Sequence, residues 1–443
     1  MSEGWTPDRV MQLAPDPASA KAGQGLSSIR KWVSVGCDAG AVWGECQGSG
    51  AKPYQVQVEL AESAFKCSCP SRKFPCKHSL GLMLLWTANE VKVSTRPAWV
   101  DEWLASRADR AKKKQEKAEE PPKPLDAEAQ GKRRAKRVDR VREGIASLRI
   151  WAEDLIRTGI ASAPSQGYGH FDEPARRMID AQAPGAARMI RQLGSIAMSG
   201  AGWQEPFLRQ LAVLHLLTSA VDQIENLPKQ IGEDVLTVIG VPQGQDEVLG
   251  RAGVADRWHV LAQEVELEDR LRVQRTWLFG STTRRPAMVL TFAHGTGPLD
   301  ASLQPGTGFD GEVCFFGDNQ IRAAVKNKST AVLLEGLPGL ESLDAACAVF
   351  GRLLTGLPWL EEAVVPLRAV VPTHIGEQWY LTDARQEAMT LNCSNSGGWL
   401  LMALSGGTPI DVAVAMDGSR LRPLAAMVGG RYATLTVRAD VGG

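Results

Sequence analysis

The sequence predicts a multidomain α+β chain, and three observations carry that prediction. Its 443 residues exceed one ordinary core, since domains usually run to roughly 100 to 200 residues. The apolar pattern changes period along the chain: short alternating runs come first, repeats of three and four follow, and alternation returns beyond Pro228. Finally, three of the eight cysteines and one of the six histidines crowd into FKCSCPSRKFPCKH, from Phe65 to His78. The expected order is a small ββα module over 1–104, a charged basic linker over 105–137, a helical bundle domain over 138–228 and an antiparallel, β-rich α+β region over 229–443.

Within the first module, AVWGECQ and YQVQVEL flank GSGAKP in the manner of a hairpin, with Tyr54, Val56, Val58 and Leu60 on one face of the second strand. After His78, SLGLMLLWTANE is apolar on nearly every side, which predicts a short buried helix. A second helix opens at Pro97 and carries Trp99, Val100, Trp103 and Leu104. The segment that follows, RAKKKQEKAEEPPKP and GKRRAKR, has almost no apolar residue to anchor it.

Helical periodicity resumes with Val138, Val141, Ile145, Leu148, Trp151 and Leu155. Two further helical patterns, PARRMIDAQAPGAARMIRQLGSIA and EPFLRQLAVLHLLTSAVDQIENL, complete a bundle of three or four helices expected to end near Pro228. Strand patterns follow in WHVLAQEVEL, RLRVQRTWLFG, AMVLTFAHG, EVCFFG, IRAAVKN, WLLMALSGG, DVAVAM and ATLTV, interrupted by the helix SLDAACAVFGRLLTG. They predict one α+β region or two small domains.

Composition narrows the functional classes. Fifty basic residues balance fifty acidic ones, so the whole molecule has no bulk attraction for nucleic acid or anionic membrane. The balance is local: Arg107 to Arg142 holds fourteen Lys or Arg against seven Asp or Glu, and polyanion contacts are expected there. The longest apolar run of note, LMLLW, falls far short of the about 20 residues that cross a bilayer. The start, MSEGWTPDRVMQLAPDP, has no basic, apolar leader, so a cytoplasmic, reducing setting without disulfides is expected.

The cysteines and histidine then acquire a chemistry. Cys67 and Cys69 are two apart, so in extended chain they point to one face. Pro70 and Pro75 bracket a turn that can bring Cys76 and His78 back as the helix begins. Single cysteines would be ordinary as buried thiols or as a redox pair. Three thiolates and an imidazole together suit the tetrahedral preference of zinc and leave no position open for water. The other five cysteines, Cys37, Cys46, Cys314, Cys347 and Cys393, are expected to be buried as small apolar side chains.

CSCPSRKFPCKH resembles the SWIM zinc finger, Cys-x-Cys, a spacer, then Cys-x-His. The flanks WGECQGSG, PY and KHSLGLMLLW are similar to a bacterial SWIM family often encoded beside MoxR-type AAA+ ATPases and proteins with von Willebrand factor A domains. The resemblance implies Cys67, Cys69, Cys76 and His78 as zinc ligands and a finger that binds protein or nucleic acid. Lys66, Arg72, Lys73 and Lys77 offset the negative site, and Arg72, Lys73 and Lys77 are the candidate contacts to a partner or to phosphates.

No enzyme motif stands beside the cluster. Gly131-Lys132 lacks the rest of a phosphate-binding loop, and the run Gly306 to Gly311 has dinucleotide spacing but is expected to form a loop before a strand. His170, His215, His259, His294 and His374 are dispersed, with His215 expected in a helix core. Trp203, Trp258, Trp277, Trp359, Trp379 and Trp399 could stack on bases, although tryptophan in an apolar pattern is more often core. The chain is therefore expected to be a non-enzymatic zinc protein that binds a protein partner, an adaptor for an AAA+ ATPase system being the form the resemblance implies. DNA or RNA binding through the finger and linker is the alternative.

Overall fold

In the computed structural model, which describes residues 5, 7–14, 17–48, 52–60, 64–71, 73, 75–119, 127–241, 243–268, 271–294 and 299–435, the N-terminal module is built on a four-stranded sheet. Two short helices, α1 (Pro7–Gln12) and α2 (Pro17–Gln24), precede strands β1 (Trp32–Cys37), β2 (Ala41–Cys46), β3 (Tyr54–Glu59) and β4 (Ala64–Cys67), which pair antiparallel in chain order. The expected hairpin is β2 with β3, Cys46 facing Tyr54. WVSVGC and AFKC, which sequence reasoning did not assign, add a strand on each side.

Both faces of this sheet are covered, which explains why β2 is buried at nearly every position. Val42 and Cys46 pack toward helix α3 (Lys77–Thr87), every residue of which from His78 to Trp86 is buried, as its apolar circumference requires. Ala41 and Trp43 meet Val100, Trp99 and Leu104 of helix α4 (Ala98–Glu119) on the other face. Arg96 pairs with Asp38 and Arg107 with Glu59, which fixes α4 across the sheet. The α2 helix lies so close to α3 that a Cβ built at Gly23 would stand 2.8 Å from the Leu80 Cβ.

Of the charged segment, residues 105–119 belong to α4 and residues 127–137 to the start of α5 (Ala127–Thr158). Helix α5 then packs with α6 (Gly169–Asp180), α7 (Pro184–Ala197) and α8 (Gln204–Asp222) around one core containing Val141, Ile145, Leu148, Phe171 and Phe207. Helical structure runs past Pro228 into α9 (Lys229–Ile239) and α10 (Gln245–Leu249), so the expected end of the helices near Pro228 is corrected. Proline stands outside the next helix as its N-cap, a position that starts helices as readily as it ends them. His215 lies on the exposed side of α8, not in its core.

The β-rich region contains two five-stranded barrels of equivalent connectivity. The first comprises β5 (Val254–Glu268), β6 (Leu271–Gly280), β7 (Pro286–His294), β8 (Thr307–Phe315) and β9 (Arg322–Lys328). Strands β5, β6 and β7 form an antiparallel meander, β8 returns beside β5, and β9 pairs with β8. A parallel pairing of β7 with β9, Met288 opposite Arg322, closes the barrel, and the short β10 (Val332–Leu333) extends β8. The run Gly306 to Gly311 enters β8, so the expected loop is instead strand from Thr307.

Helix α11 (Leu343–Gly356), capped by the Ser342 hydroxyl accepting the Ala345 amide, leads to the second barrel. Its strands are β11 (Ala363–Ile375), β12 (Gln378–Thr382), β13 (Ala388–Thr390), β14 (Ile410–Met416) and β15 (Leu421–Val428), with β16 (Arg431–Thr434) added to β15. The meander β11 to β13 is again followed by a strand returning to the first, β14 on β11, and then by β15 on β14. A parallel bridge from Leu391 to Leu421 and the Asn392 amide donating to the Leu421 carbonyl at 2.8 Å join the third strand to the fifth.

WLLMALSGG, expected as a strand, is instead helix α12 (Asn395–Ser405), inserted between β13 and β14. Periodicity cannot separate a short apolar helix from a buried strand. The ends decide here: the Ser394 hydroxyl accepts the Gly397 amide, and Gly406 closes the helix in the left-handed region at φ 57°.

Barrels and bundle are joined by specific contacts. Arg422 of β15 pairs with both Glu264 of β5 and Glu362, and the Tyr432 hydroxyl donates to the Leu261 carbonyl at 2.9 Å. Leu357 and Trp359 insert into the bundle core, where Arg188 also reaches Glu361 at 2.9 Å. Among the described residues no helix is long and apolar enough to cross a membrane.

Candidate metal centre

The site is assembled where β4 ends and α3 begins. Pairing of Cys67 with Val56 fixes the end of β4, and Cys69 follows two residues later. Cys76 takes the N-cap position of α3, extended at φ -76° and ψ 164°, so that His78 falls in the first helical turn. Neither Cys76 nor His78 is more than 6% exposed.

One donor atom from each of Cys67, Cys69, Cys76 and His78 lies within 4.8 Å of all the others. The His78 Nδ1 is 3.8 Å from the Cys67 Sγ and 3.9 Å from the Cys76 Sγ. Zinc–sulfur bonds of about 2.3 Å at tetrahedral angles place neighbouring donors roughly 3.8 Å apart. The donor set and its spacing therefore fit a tetrahedral zinc ion, and four protein donors leave no coordination position for water.

Electrostatics show what the ion does for this cluster. Without a cation, Cys76 is held below the usual thiol range, first by the neighbouring Cys67 thiol, then by His78 and Ser79. Cys67 is pushed up by the same neighbour and by burial, and Cys69 is pushed up by burial. Crowded thiolates repel in a partly desolvated pocket, and a bound cation removes the conflict by taking all three as thiolates.

Several neighbours escaped sequence reasoning. The Tyr54 ring packs against His78 with centroids 5.1 Å apart, and the Ser79 hydroxyl lies 3.5 Å from the Cys76 Sγ. Cys46 is buried behind the ligands, but its thiol is directed to the Lys31 carbonyl at 3.6 Å. The pairing of Cys46 with Tyr54 was the available signal, since it carries both toward the end of β4. Of the remaining cysteines, Cys37 and Cys314 are buried as expected, Cys393 is half-buried, and Cys347 is exposed on α11, a correction that follows from its place on the helix face away from the core.

Lys73 and Lys77 are exposed beside the ligands, Lys77 on the outer side of the first turn of α3; Arg72 lies outside the described residues. The five other histidines do not join the cluster. His374 packs with Trp379 and Trp399 in the second barrel, His170 with Trp151 in the bundle, and His259 is buried on β5.

A small sheet and helix that bring three cysteines and one histidine together define a zinc-finger module. Comparison with known families finds two matching domains. The SWIM zinc finger matches residues 54–86, and the SWIM-associated four-helix bundle domain matches residues 136–239. The chain thus carries a SWIM zinc finger together with the bundle associated with it. No curated protein and no solved structure matches the chain significantly.

Proposed function

We propose that this chain is a non-catalytic interaction protein of the cytoplasm, whose zinc finger presents a binding surface and whose bundle and barrels form the body that the surface serves. The closed coordination shell carries this reading. Four protein donors around one ion complete a structural site, whereas a hydrolytic zinc keeps a water position. The metal then ties the end of β4 to the start of α3, where Lys73 and Lys77 are exposed. A MoxR-type AAA+ ATPase or a von Willebrand factor A protein is the partner class implied by the family resemblance, and an adaptor role in such an assembly is the form of function proposed.

The test is titration of the zinc-loaded full chain against a MoxR-type ATPase and a von Willebrand factor A protein from the same genome, followed by calorimetry. Binding weakened at least tenfold by Lys73→Glu with Lys77→Glu, at unchanged zinc content, supports the reading. No binding to either protein, or equal binding by the variant, overturns it. Oligonucleotide binding lost in the same variant would favour phosphate recognition by the finger instead.

A further inference from the structure

The second barrel carries an open groove of about 480 Å³ that none of the preceding function uses. That volume falls within the roughly 300–1,000 Å³ of ligand clefts. Five parts of the barrel line it: Glu377 in the β11–β12 turn, Tyr380 on β12, Thr390 on β13, Asn392 in the link to α12, and Arg420 in the β14–β15 turn. Trp379 forms part of its wall, held by its indole N–H donating to Asn395 at 3.1 Å.

The position of the groove has topological meaning. Numbering the barrel strands in chain order, the pairings run 1-2-3-5-4-1, with strands three and five parallel and a helix between strands three and four. This is the Greek-key barrel of the OB type, whose face over strands two and three, with the turns 1-2 and 4-5, takes up extended polymers. The groove occupies that face. In the first barrel the outward side chains Trp277 and Phe279 of the second strand are buried in the core shared with the second barrel, so that face is closed by packing. The second barrel keeps its own face open.

The chemistry selects among polymers. The side chains of Glu377, Tyr380, Thr390, Asn392 and Arg420 show no hydrogen bond or ion pair to another described residue, so their capacity is uncommitted. A guanidinium fork suits a phosphate, an amide and a carboxylate suit the donor and acceptor edges of bases, and a phenol ring offers a stacking face. We infer that the groove of the second barrel binds a short stretch of single-stranded nucleic acid, with Tyr380 stacking on a base, Asn392 and Glu377 reading base edges and Arg420 holding one phosphate.

One phosphate contact predicts a shallow salt dependence, a slope of about −0.7 in log affinity against log salt. Binding through the surplus of seven positive charges between Arg107 and Arg142 would instead give about −5. The experiment is fluorescence anisotropy of the zinc-loaded full chain with fluorescein-labelled 12-mers of oligo-dT and mixed-sequence RNA across a salt series. Tyr380→Ala is expected to weaken binding by about 5- to 150-fold, the effect of losing one stacked base, and Tyr380→Trp to preserve it. Asn392→Ala and Arg420→Ala, both on exposed turns, are expected to weaken binding several-fold, with Arg420→Ala flattening the salt slope toward zero.

Photo-crosslinks from 4-thiouridine RNA should map to peptides spanning 377–395 and 417–420. The inference is overturned if the full chain binds neither oligonucleotide, or if binding is steeply salt-dependent and indifferent to these substitutions. It is equally overturned if neutral oligosaccharides bind the groove while oligonucleotides do not.

Discussion

The Cys67 Sγ and the His78 Nδ1 lie 3.8 Å apart although eleven positions separate them in the chain. That approach joins the last residue of β4 to the first turn of α3, and a metal ion between them would be the strongest tie in a module with a small core. Structural zinc can contribute on the order of 10 kcal/mol to such folding. One zinc per chain is expected by elemental analysis. In Cys76→Ser or Cys67→Ser the metal should be lost and limited proteolysis should cut throughout the first hundred residues while the barrels stay intact. Full zinc content in either variant would refute the ligand assignment.

The contact of α2 with α3 depends on Gly81, where an added Cβ would stand 2.6 Å from the Leu26 Cβ and 3.2 Å from the Gly23 carbonyl oxygen. Gly81→Val is therefore expected to destabilise the finger module by about 1–3 kcal/mol through overpacking. The midpoint of chemical unfolding, monitored by zinc release, should fall, and an unchanged midpoint would mean that α2 is not packed there.

Asp234 of α9 is completely buried and accepts hydrogen bonds from Asn319 Nδ2 at 2.9 Å and Gln320 Nε2 at 3.0 Å, across the junction of bundle and first barrel. Burial pushes its carboxyl above the ordinary range. Asp234→Ala leaves the Asn319 amide without this acceptor and Gln320 Nε2 with the Asp234 backbone carbonyl alone, at 3.4 Å, and should cost about 2 kcal/mol. Asp234→Asn retains one acceptor oxygen and should cost less. Thermal unfolding that separates bundle from barrels in Asp234→Ala, and not in Asp234→Asn, is the expected signature.

His259 on β5 is 8% exposed, and neither of its ring nitrogens has a hydrogen-bond partner among the described residues. Burial, reinforced by the charge of Arg257, lowers its pKa to about 4. The unfolded chain therefore takes up the proton first as pH falls. Stability is full above about 6.5 and declines between there and about 4, by on the order of 3 kcal/mol. His259→Leu should flatten that acid limb in denaturant titrations at successive pH values. A limb of unchanged slope would mean that the imidazole is hydrated.

Two of the corrections share one cause. The helix at α12 and the strand at β8 occupy short apolar or glycine-rich stretches whose local pattern fits either state, and caps or cross-strand partners decided them. Strands β11 and β15 went unassigned because AVVPLRAVVPTHI and LRPLAAMV are buried over most of their length and show little alternation. By contrast, Val141, Ile145, Leu148 and Leu155 were legible because a helix that buries one side must repeat its apolar residues.

The metal site was written in the sequence because its ligands lie within twelve residues, a range over which strand alternation and one turn fix the geometry. The groove on the second barrel was not. Its residues come from positions 377 to 420, and only the return of β14 to β11 and the parallel closure of Leu391 on Leu421 bring them to one face. Local chemistry determines what a short segment can bind. Strand order, which is set by burial across the whole domain, decides which distant side chains meet.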